Sequence, residues 1–284
     1  MNTILSQYNS PYDSFFFHHT VSTDGSTRNG KSRESHGQFE VLYLIDGKVR
    51  YLIEGEEYLA TSGDLIFIPP NEVHTLHCEK DCRYERIVVL FDLALLKAAL
   101  PNNETVLDGN FFAHRSHHRV IPKNIVQKTK IADTMYAITQ ANEEKKYLAI
   151  RTLSLVCALI IQLDKVFEQS EDTPVSPVSA DDLVKRAIAF INAHITKPLS
   201  LDDIAAHLFV SKSTLCHKFA RQMQVSINRY MTIKKMYHAA QLIKNGMSAV
   251  DASTAVGYEY YTTFFHNYKQ IIGVSPSQTK QDIV

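Results

Sequence analysis

Only four cysteines, Cys78, Cys82, Cys157 and Cys216, occur in 284 residues. They are too few and too scattered for a disulfide framework, and they point to a reducing compartment. No apolar run approaches the ~20 residues that span a bilayer, so no membrane partner is expected. The opening MNTILSQYNSPYDS lacks a basic segment followed by an apolar one, and a secretory leader is not expected. A cytoplasmic location follows as the expectation. Net charge is absent too, with 30 Lys+Arg against 30 Asp+Glu.

That balance hides an asymmetry. Residues 1–180 carry 18 basic and 23 acidic side chains, whereas residues 181–284 carry 12 and 7. A basic C-terminal third in a neutral chain suits contact with a polyanion. The length itself favours two domains.

Between residues 38 and 92 apolar and polar positions alternate, as in QFEVLYLIDGKVRYLIEGEEYLATSGDLIFIPP. Asp46-Gly47 and Glu54-Gly55 are turn signals, and Pro69-Pro70-Asn71 closes a further strand. Short strands with regular turns predict a sandwich or small barrel. From Ile121 the period becomes helical, first in IVQKTKIADTMYAITQ and then in YLAIRTLSLVCALIIQLDKVFEQ. The second segment is apolar around much of its circumference (Leu153, Leu155, Val156, Leu159, Ile160, Leu163, Val166), so the barrel or a second subunit must cover it. SEDTPVSPVSADD has prolines, serines and acids without periodicity and reads as a linker.

Beyond it everything is helical, and one device occurs twice. SLDDIAAHLFVSKSTLCHKFARQM and SAVDASTAVGYEYYTTFFHNYKQI each give a short helix, a tight turn and a second helix. That second helix carries two apolar anchors four residues apart with a histidine between them: Leu215, His217 and Phe219, then Phe264, His266 and Tyr268. This is a duplicated helix-turn-helix, whose second helices enter major grooves of double-stranded DNA. The joining helix, Ile227 to Lys244, ends at Asn245-Gly246. Its 18 residues make a rod of ~27 Å at ~1.5 Å per residue, near the ~34 Å between successive grooves on one face of DNA.

At 100° per residue, Phe264, Tyr268 and Ile271 share one arc and are expected in the core. Thr262, Phe265, His266 and Lys269 face the other way, with Tyr261 at the border; these are the candidate base and phosphate contacts of the second copy. In the first copy the candidates are Ser211, Ser213, Thr214, Cys216, His217 and Arg221.

These residues carry a resemblance. The C-terminal hundred residues are similar to the AraC/XylS family of bacterial transcription regulators. The family's second-half signature, roughly G-F-x-D-x-S-x-F-x-R-x-F-K-x-x-x-G-x-S-P, appears as Gly257-Tyr258-Glu259-Tyr260 through Phe264, His266, Tyr268 and Lys269 to Gly273-Val274-Ser275-Pro276. Leu201, Ile204, Ala205, Ser211, Leu215 and Phe219 match the first half, and Ala239, Leu242 and Ile243 the joining helix. Tyr260 stands where the family usually has Asp, and His217 and His266 where it often has Arg.

HGQFEVLYLIDG and GDLIFIPPNEVH resemble the two halves of a cupin barrel. The metal-binding first half, H-x-H-x(3,4)-E-x(6)-G, is met by His36, Glu40 and Gly47 with Glu34 at the first His. The second half, G-x(5)-P-x-G-x(2)-H, is met by Gly63, Pro69 and His74 with Asn71 in place of Gly. Strand alternation sets Glu34, His36, Gln38 and Glu40 on one face, and His74 completes a polar cluster inside the barrel. Three readings follow: a small polar ligand held by hydrogen bonds, a divalent metal held by His36, Glu40 and His74, or a plain scaffold. The first is the expectation, with no cofactor and no resident metal. Nor does the run His74, His77, Cys78, Cys82 make a zinc site, since strand alternation points His77 away from His74 and Cys78. HRSHHR at 114–119 reads as a solvated connection.

The fold class expected is α+β: a cupin-like β-barrel in 1–120, a helical dimerisation segment in 121–172, a linker in 173–180 and an all-α domain with two helix-turn-helix motifs in 181–284. The resemblance implies a non-enzymatic, ligand-responsive regulator, with a small-molecule effector such as a sugar, a homodimer and, for an activator, RNA polymerase as partners. The absence of tryptophan leaves Tyr and Phe for stacking on such an effector. The alternatives are a metal-dependent cupin enzyme, or a metal or redox sensor using Cys78 and Cys82, each with an appended DNA-binding domain.

Overall fold

A computed structural model describes residues 2–9, 15–24, 36–92, 119–140, 148–170, 182–197 and 199–281. The linker expected at 173–180, Glu34 and most of HRSHHR lie outside these residues.

The N-terminal part is a pair of antiparallel sheets. The larger contains β1 (Asn2–Asn9), β2 (Phe15–Ser22), β3 (Phe39–Asp46), β6 (Leu65–Ile68), β8 (Tyr84–Phe91) and β9 (Val120–Ile121) in the order β1-β2-β8-β3-β6-β9. The smaller is β5 (Glu56–Thr61), β4 (Lys48–Ile53) and β7 (His74–Cys78), with β4 central. Successive side chains of a strand point to opposite faces, and the larger sheet uses both. Phe15, Phe17, Phe39, Val41, Phe67, Ile87, Val89 and Phe91 face a layer of helices. Leu42, Leu44, Ile66, Ile68, Tyr84 and Val88 face Val49, Tyr51, Ile53, Tyr58 and Leu76 of the smaller sheet. Among the described residues the strands form two sheets packed face to face around a shared interior.

The helical spacing of the first segment is met by two helices. IVQKTKIADTMYAITQ is not one helix but α1 (Lys123–Thr129) and α2 (Ile131–Gln140), because Lys130 adopts a left-handed φ of 55° and caps α1 with its N–H on the Gln127 carbonyl. The kink lets α1 and α2 each present a face to the sheet. Then α3 (Leu148–Ser170) buries Val156, Leu159, Ile160, Leu163, Val166 and Phe167 in the same core. Of the two covers expected for that helix, the sandwich takes this face. No helix among the described residues is long and apolar enough to cross a membrane.

The C-terminal helices are α4 (Asp182–Ala193), α5 (Leu201–His207), α6 (Lys212–Met223), α7 (Ile227–Lys244), α8 (Ala249–Ala255), α9 (Tyr261–Ile272) and α10 (Pro276–Gln281). They form two cores. One gathers α4, α5, α6 and the start of α7 around Ile191, Ile204, Leu215, Phe219 and Tyr230; the other packs Met236, Ala239 and Ile243 of α7 against Ala252, Phe264 and Tyr268. Rod α7 belongs to both.

The two halves meet at the β4–β5 turn and the β6–β7 loop. Val73 is buried in the first helical core. At Gly55, where φ is a strained +80° for any other residue, a Cβ would come within 3.0 Å of the Met223 sulfur and 3.3 Å of Ile188 and crowd both side chains. Polar contacts frame it: Gln222 donates to the Gly55 carbonyl, Lys185 pairs with Glu56, and Lys244 lies 3.1 Å from Asp92.

Candidate functional site

Glu40 sits on the inner face of β3, 5% exposed. The His36 ring reaches it, Nε2 donating to Oε2 over 2.9 Å while Nδ1 donates to the Gln38 carbonyl at 2.9 Å. An oxygen acceptor at each ring nitrogen is the arrangement of an imidazolium. His74, on β7, donates from Nδ1 to the Glu72 carbonyl at 3.0 Å and holds Nε2 3.6 Å from the same Glu40 oxygen. Burial pushes the Glu40 carboxyl up, but the His36 hydrogen bond and the charges of His74, His36 and His18 outweigh it and bring the pKa down to about 2. Glu40 is therefore a carboxylate.

Sequence spacing brought these three residues to one point, though not by the route expected. β3 begins only at Phe39, so strand alternation does not run back to His36. His36 lies just before a bend at Gly37-Gln38, tied down by the Asn71 N–H, which donates to the His36 carbonyl at 2.8 Å. Asn71 replaces the expected glycine because it tolerates the φ of +65° that this turn requires. Gln38 meets the cluster through its backbone carbonyl. One ligand atom each from His36, Glu40 and His74 lies within 4.8 Å of the others, so this set can accept a divalent cation where it now shares protons. Along β7, His74 and Cys78 are buried and His77 is exposed, which separates the suspected zinc ligands.

Four further polar side chains of the interior were not singled out in the sequence. Tyr51 and Tyr84 bring their hydroxyls to 3.4 Å, Arg86 places its guanidinium 4.5 Å over the Tyr84 ring, and Thr20 is its neighbour across the β2–β8 pair. Burial drives the Tyr84 hydroxyl up to about 12 and that of Tyr51 well above the ordinary range. The signal was present in YERIVVLF, where a charge occupies an inward position of an otherwise apolar strand.

The second candidate surface is the pair of helices α6 and α9. Ser200 and Asp203 form a reciprocal capping box that opens α5. Ser211 caps α6 by accepting from the Thr214 N–H at 3.1 Å, and its hydroxyl lies 2.8 Å from that of Thr214. Two of the candidate contacts thus also hold the helix start. Leu215 and Phe219 are buried while Ser213, Thr214, His217 and Arg221 are exposed; Cys216 is half-buried against the core. On α9, Phe264 and Tyr268 are fully buried, and Tyr261, Thr262, Phe265, His266 and Lys269 are exposed. Tyr260 is the N-cap of α9, makes no side-chain cap and is exposed. Phe209, in the turn between α5 and α6, was not anticipated: it is 92% exposed with a left-handed φ of 55°.

Comparison with known proteins finds matches to both halves of the chain. Residues 16–129 match the AraC-like ligand binding domain and residues 204–282 a helix-turn-helix domain. The melibiose operon regulatory protein of Escherichia coli K12 is 24% identical over 256 residues, 87% of this chain and 82% of its own. The lactose operon transcription activator of Staphylococcus xylosus is 24% identical over 246 residues, 85% of this chain and 83% of its own. Among solved structures, ToxT from Vibrio cholerae O395 aligns over 100% of this chain and 99% of its own at 12% identity and a TM-score of 0.41. A ligand-binding sandwich followed by paired helix-turn-helix motifs, in a chain whose relatives regulate transcription and are not enzymes, belongs to the AraC family of ligand-responsive, DNA-binding transcription regulators.

Proposed function

We propose that this regulator activates transcription when a small polar effector, a sugar in the first instance, binds between the two sheets. His36, Gln38, Glu40 and His74, with Glu34 from outside the described residues, would hold it by hydrogen bonds. The names of the two relatives, a melibiose operon regulator and a lactose operon activator, support a sugar and an activator. RNA polymerase would be the partner of such an activator, and the cytoplasm its location. DNA would be contacted by Ser211, Ser213, Thr214, Cys216, His217 and Arg221 in one groove. Tyr261, Thr262, Phe265, His266 and Lys269 would enter the next.

One observation carries the ligand response. His74, at the Glu40 cluster, is the direct neighbour of Val73, whose side chain is buried among the DNA-binding helices. An effector that moves the His74 ring moves the backbone that anchors the sandwich to α4, α6 and α7. Binding energy at one site then shifts how the two reading helices are presented.

The test is a thermal-shift screen of the full-length protein against sugars, followed by DNA binding with the effector found. Glu40→Gln and His74→Ala are expected to lose the shift while keeping effector-free DNA binding. A response unchanged in both variants sinks the reading. The close grouping of His36, Glu40 and His74 favours one second reading, a metal-dependent sensor. Stoichiometric metal in the purified protein, lost in His36→Ala and Glu40→Ala, would replace the first reading with it.

A further inference from the structure

Among the described residues, Arg86 is an interior charge that this arrangement leaves unexplained. It stands on β8 at 3% exposure, in the layer between the two sheets, with Thr20 opposite it on β2 and Leu44 opposite it on β3. Its Nη1 is buried and finds no hydrogen-bond partner. Thr20, 4% exposed, is in the same condition: its Oγ1 is buried and unbonded. Among the described residues no carboxylate pairs with Arg86, and its recorded neighbour is the face of the Tyr84 ring, 4.5 Å from Cζ. A ring face softens a buried guanidinium but does not neutralise it, and it cannot accept the in-plane N–H bonds. Buried charges are otherwise paired, because an uncompensated one keeps its full desolvation penalty.

We propose that the effector is an anion, and that Arg86 and Thr20 receive its carboxylate or phosphate between the sheets. The proposal rests on the effector reading above and narrows it. A guanidinium offers two parallel donors that match a carboxylate or phosphate edge, and the threonine hydroxyl supplies a third donor beside it. A neutral hydroxyl could accept one of these bonds yet would leave the charge in place.

The other end of the interior has the opposite demand. Glu40, an acceptor, is opposite Leu90, four residues from Arg86 on the same strand. At ~3.3 Å per residue that is ~13 Å between backbones. The Tyr51 hydroxyl, 3.4 Å from that of Tyr84, feels the charges of both Glu40 and Arg86. The interior therefore suits a small molecule with hydroxyl donors at one end and an anionic group at the other. Sugar acids, sugar phosphates and hydroxy acids have that polarity.

The experiment compares probes that differ only in charge: glucose, glucuronate and glucose 6-phosphate, galactose and galacturonate, and inorganic phosphate alone. Melting of the full-length protein and of Arg86→Met is the readout. Charged members are expected to raise the melting temperature of the wild type and not of Arg86→Met, with neutral members inert. A shift with inorganic phosphate alone, lost in Arg86→Met, supports the anion site without the sugar. Independently of any ligand, Arg86→Met removes an uncompensated charge and keeps its bulk, so the unliganded variant should melt no lower than the wild type. A clear loss of stability means that Arg86 is structurally paired and overturns the proposal. A shift by neutral sugars that Arg86→Met retains and Glu40→Gln loses also overturns it, while leaving the effector reading intact.

Discussion

The Lys234 ammonium lies 3.1 Å from the Glu54 carboxylate, joining rod α7 to the β4–β5 turn of the sandwich. The same lysine donates to the Asn71 carbonyl at 2.8 Å, the Val73 N–H donates to Glu54 at 2.6 Å, and the Tyr230 hydroxyl donates to the other Glu54 oxygen. Glu54 is thus the hub through which the loop next to His74 is fastened to the helix shared by both reading heads. Glu54→Ala would strand Lys234 and Tyr230 at a poorly solvated interface and cost about 2–3 kcal/mol. The informative result is functional: we expect the variant to bind DNA at a level independent of effector. If it still responds with the wild-type fold-change, the fastening does not transmit the signal.

Glu72 gives this interface a pH dependence. Its Oε1 accepts from Arg119 at 2.6 Å, which favours the carboxylate, but Oε2 is buried with no donor. Burial dominates and, with the nearby Glu54 charge, raises the carboxyl from 4.5 to about 7 against the pull of Arg119 and Lys234. A carboxyl whose pKa is higher folded than unfolded adds stability below the unfolded value and loses it as pH rises through the folded one. Between pH 5 and 8 the wild type should therefore lose melting temperature relative to Glu72→Gln, which copies the protonated form. A flat difference across that range contradicts the raised value.

Neighbouring aromatics on α9 should separate cleanly. Phe264 is fully buried, and Phe264→Ala should cost about 3–5 kcal/mol. Phe265 is 39% exposed, and Phe265→Ala should change stability by no more than about 0.5 kcal/mol while weakening specific DNA binding. Lys269→Ala should weaken binding to all sequences alike and flatten the salt dependence by about one unit of slope. Equal stability loss at Phe264 and Phe265 would contradict the inside-outside division of this helix.

The C-terminal elements were legible because each rests on local rules. The caps at Ser200 and Ser211, the 18-residue rod and the arc of Phe264 and Tyr268 follow from helical periodicity and side-chain capping within a few residues. The N-terminal half was less legible. FFFHHTVS gives no clean alternation, because Phe15 and Phe17 enter the helical core while the other face mixes Phe16 with His18, Thr20 and Ser22, so β2 was not anticipated. The His36, Glu40 and His74 grouping was legible from motif spacing, yet His36 enters from irregular chain ahead of β3 that no strand pattern shows. Arg86 and the Glu54 hub depend on contacts between residues far apart in the chain, and composition or period carries no trace of them.

Phe209 offers a test of strain. Its φ of 55° puts a bulky side chain in the left-handed region, and at 92% exposure packing returns little. Phe209→Gly relieves that strain and is expected to raise stability by about 0.5–1 kcal/mol, read as an increase in melting temperature. A drop would show that the exposed ring makes a contact that stabilises the isolated protein.

The last prediction concerns the helix whose cover was in question. The sandwich buries one face of α3, but Ile150 and Ile161 remain 66% and 58% exposed, with Ser154 and the half-buried Cys157 between them. Spacings of four, three and four residues align these positions as one stripe along the helix, the pattern of a narrow helix–helix seam. Homodimerisation through this stripe would pair two DNA-binding halves and let one effector-linked protein engage two sites. Ile150→Glu with Ile161→Glu places two like charges on the seam at little cost to the monomer, because both side chains already face solvent. The expected outcome is a shift from dimer to monomer by sedimentation, an unchanged melting core and weaker binding to paired sites than to a single site. A double variant that sediments as the wild type does would rule out this stripe as a contact between two copies of the chain.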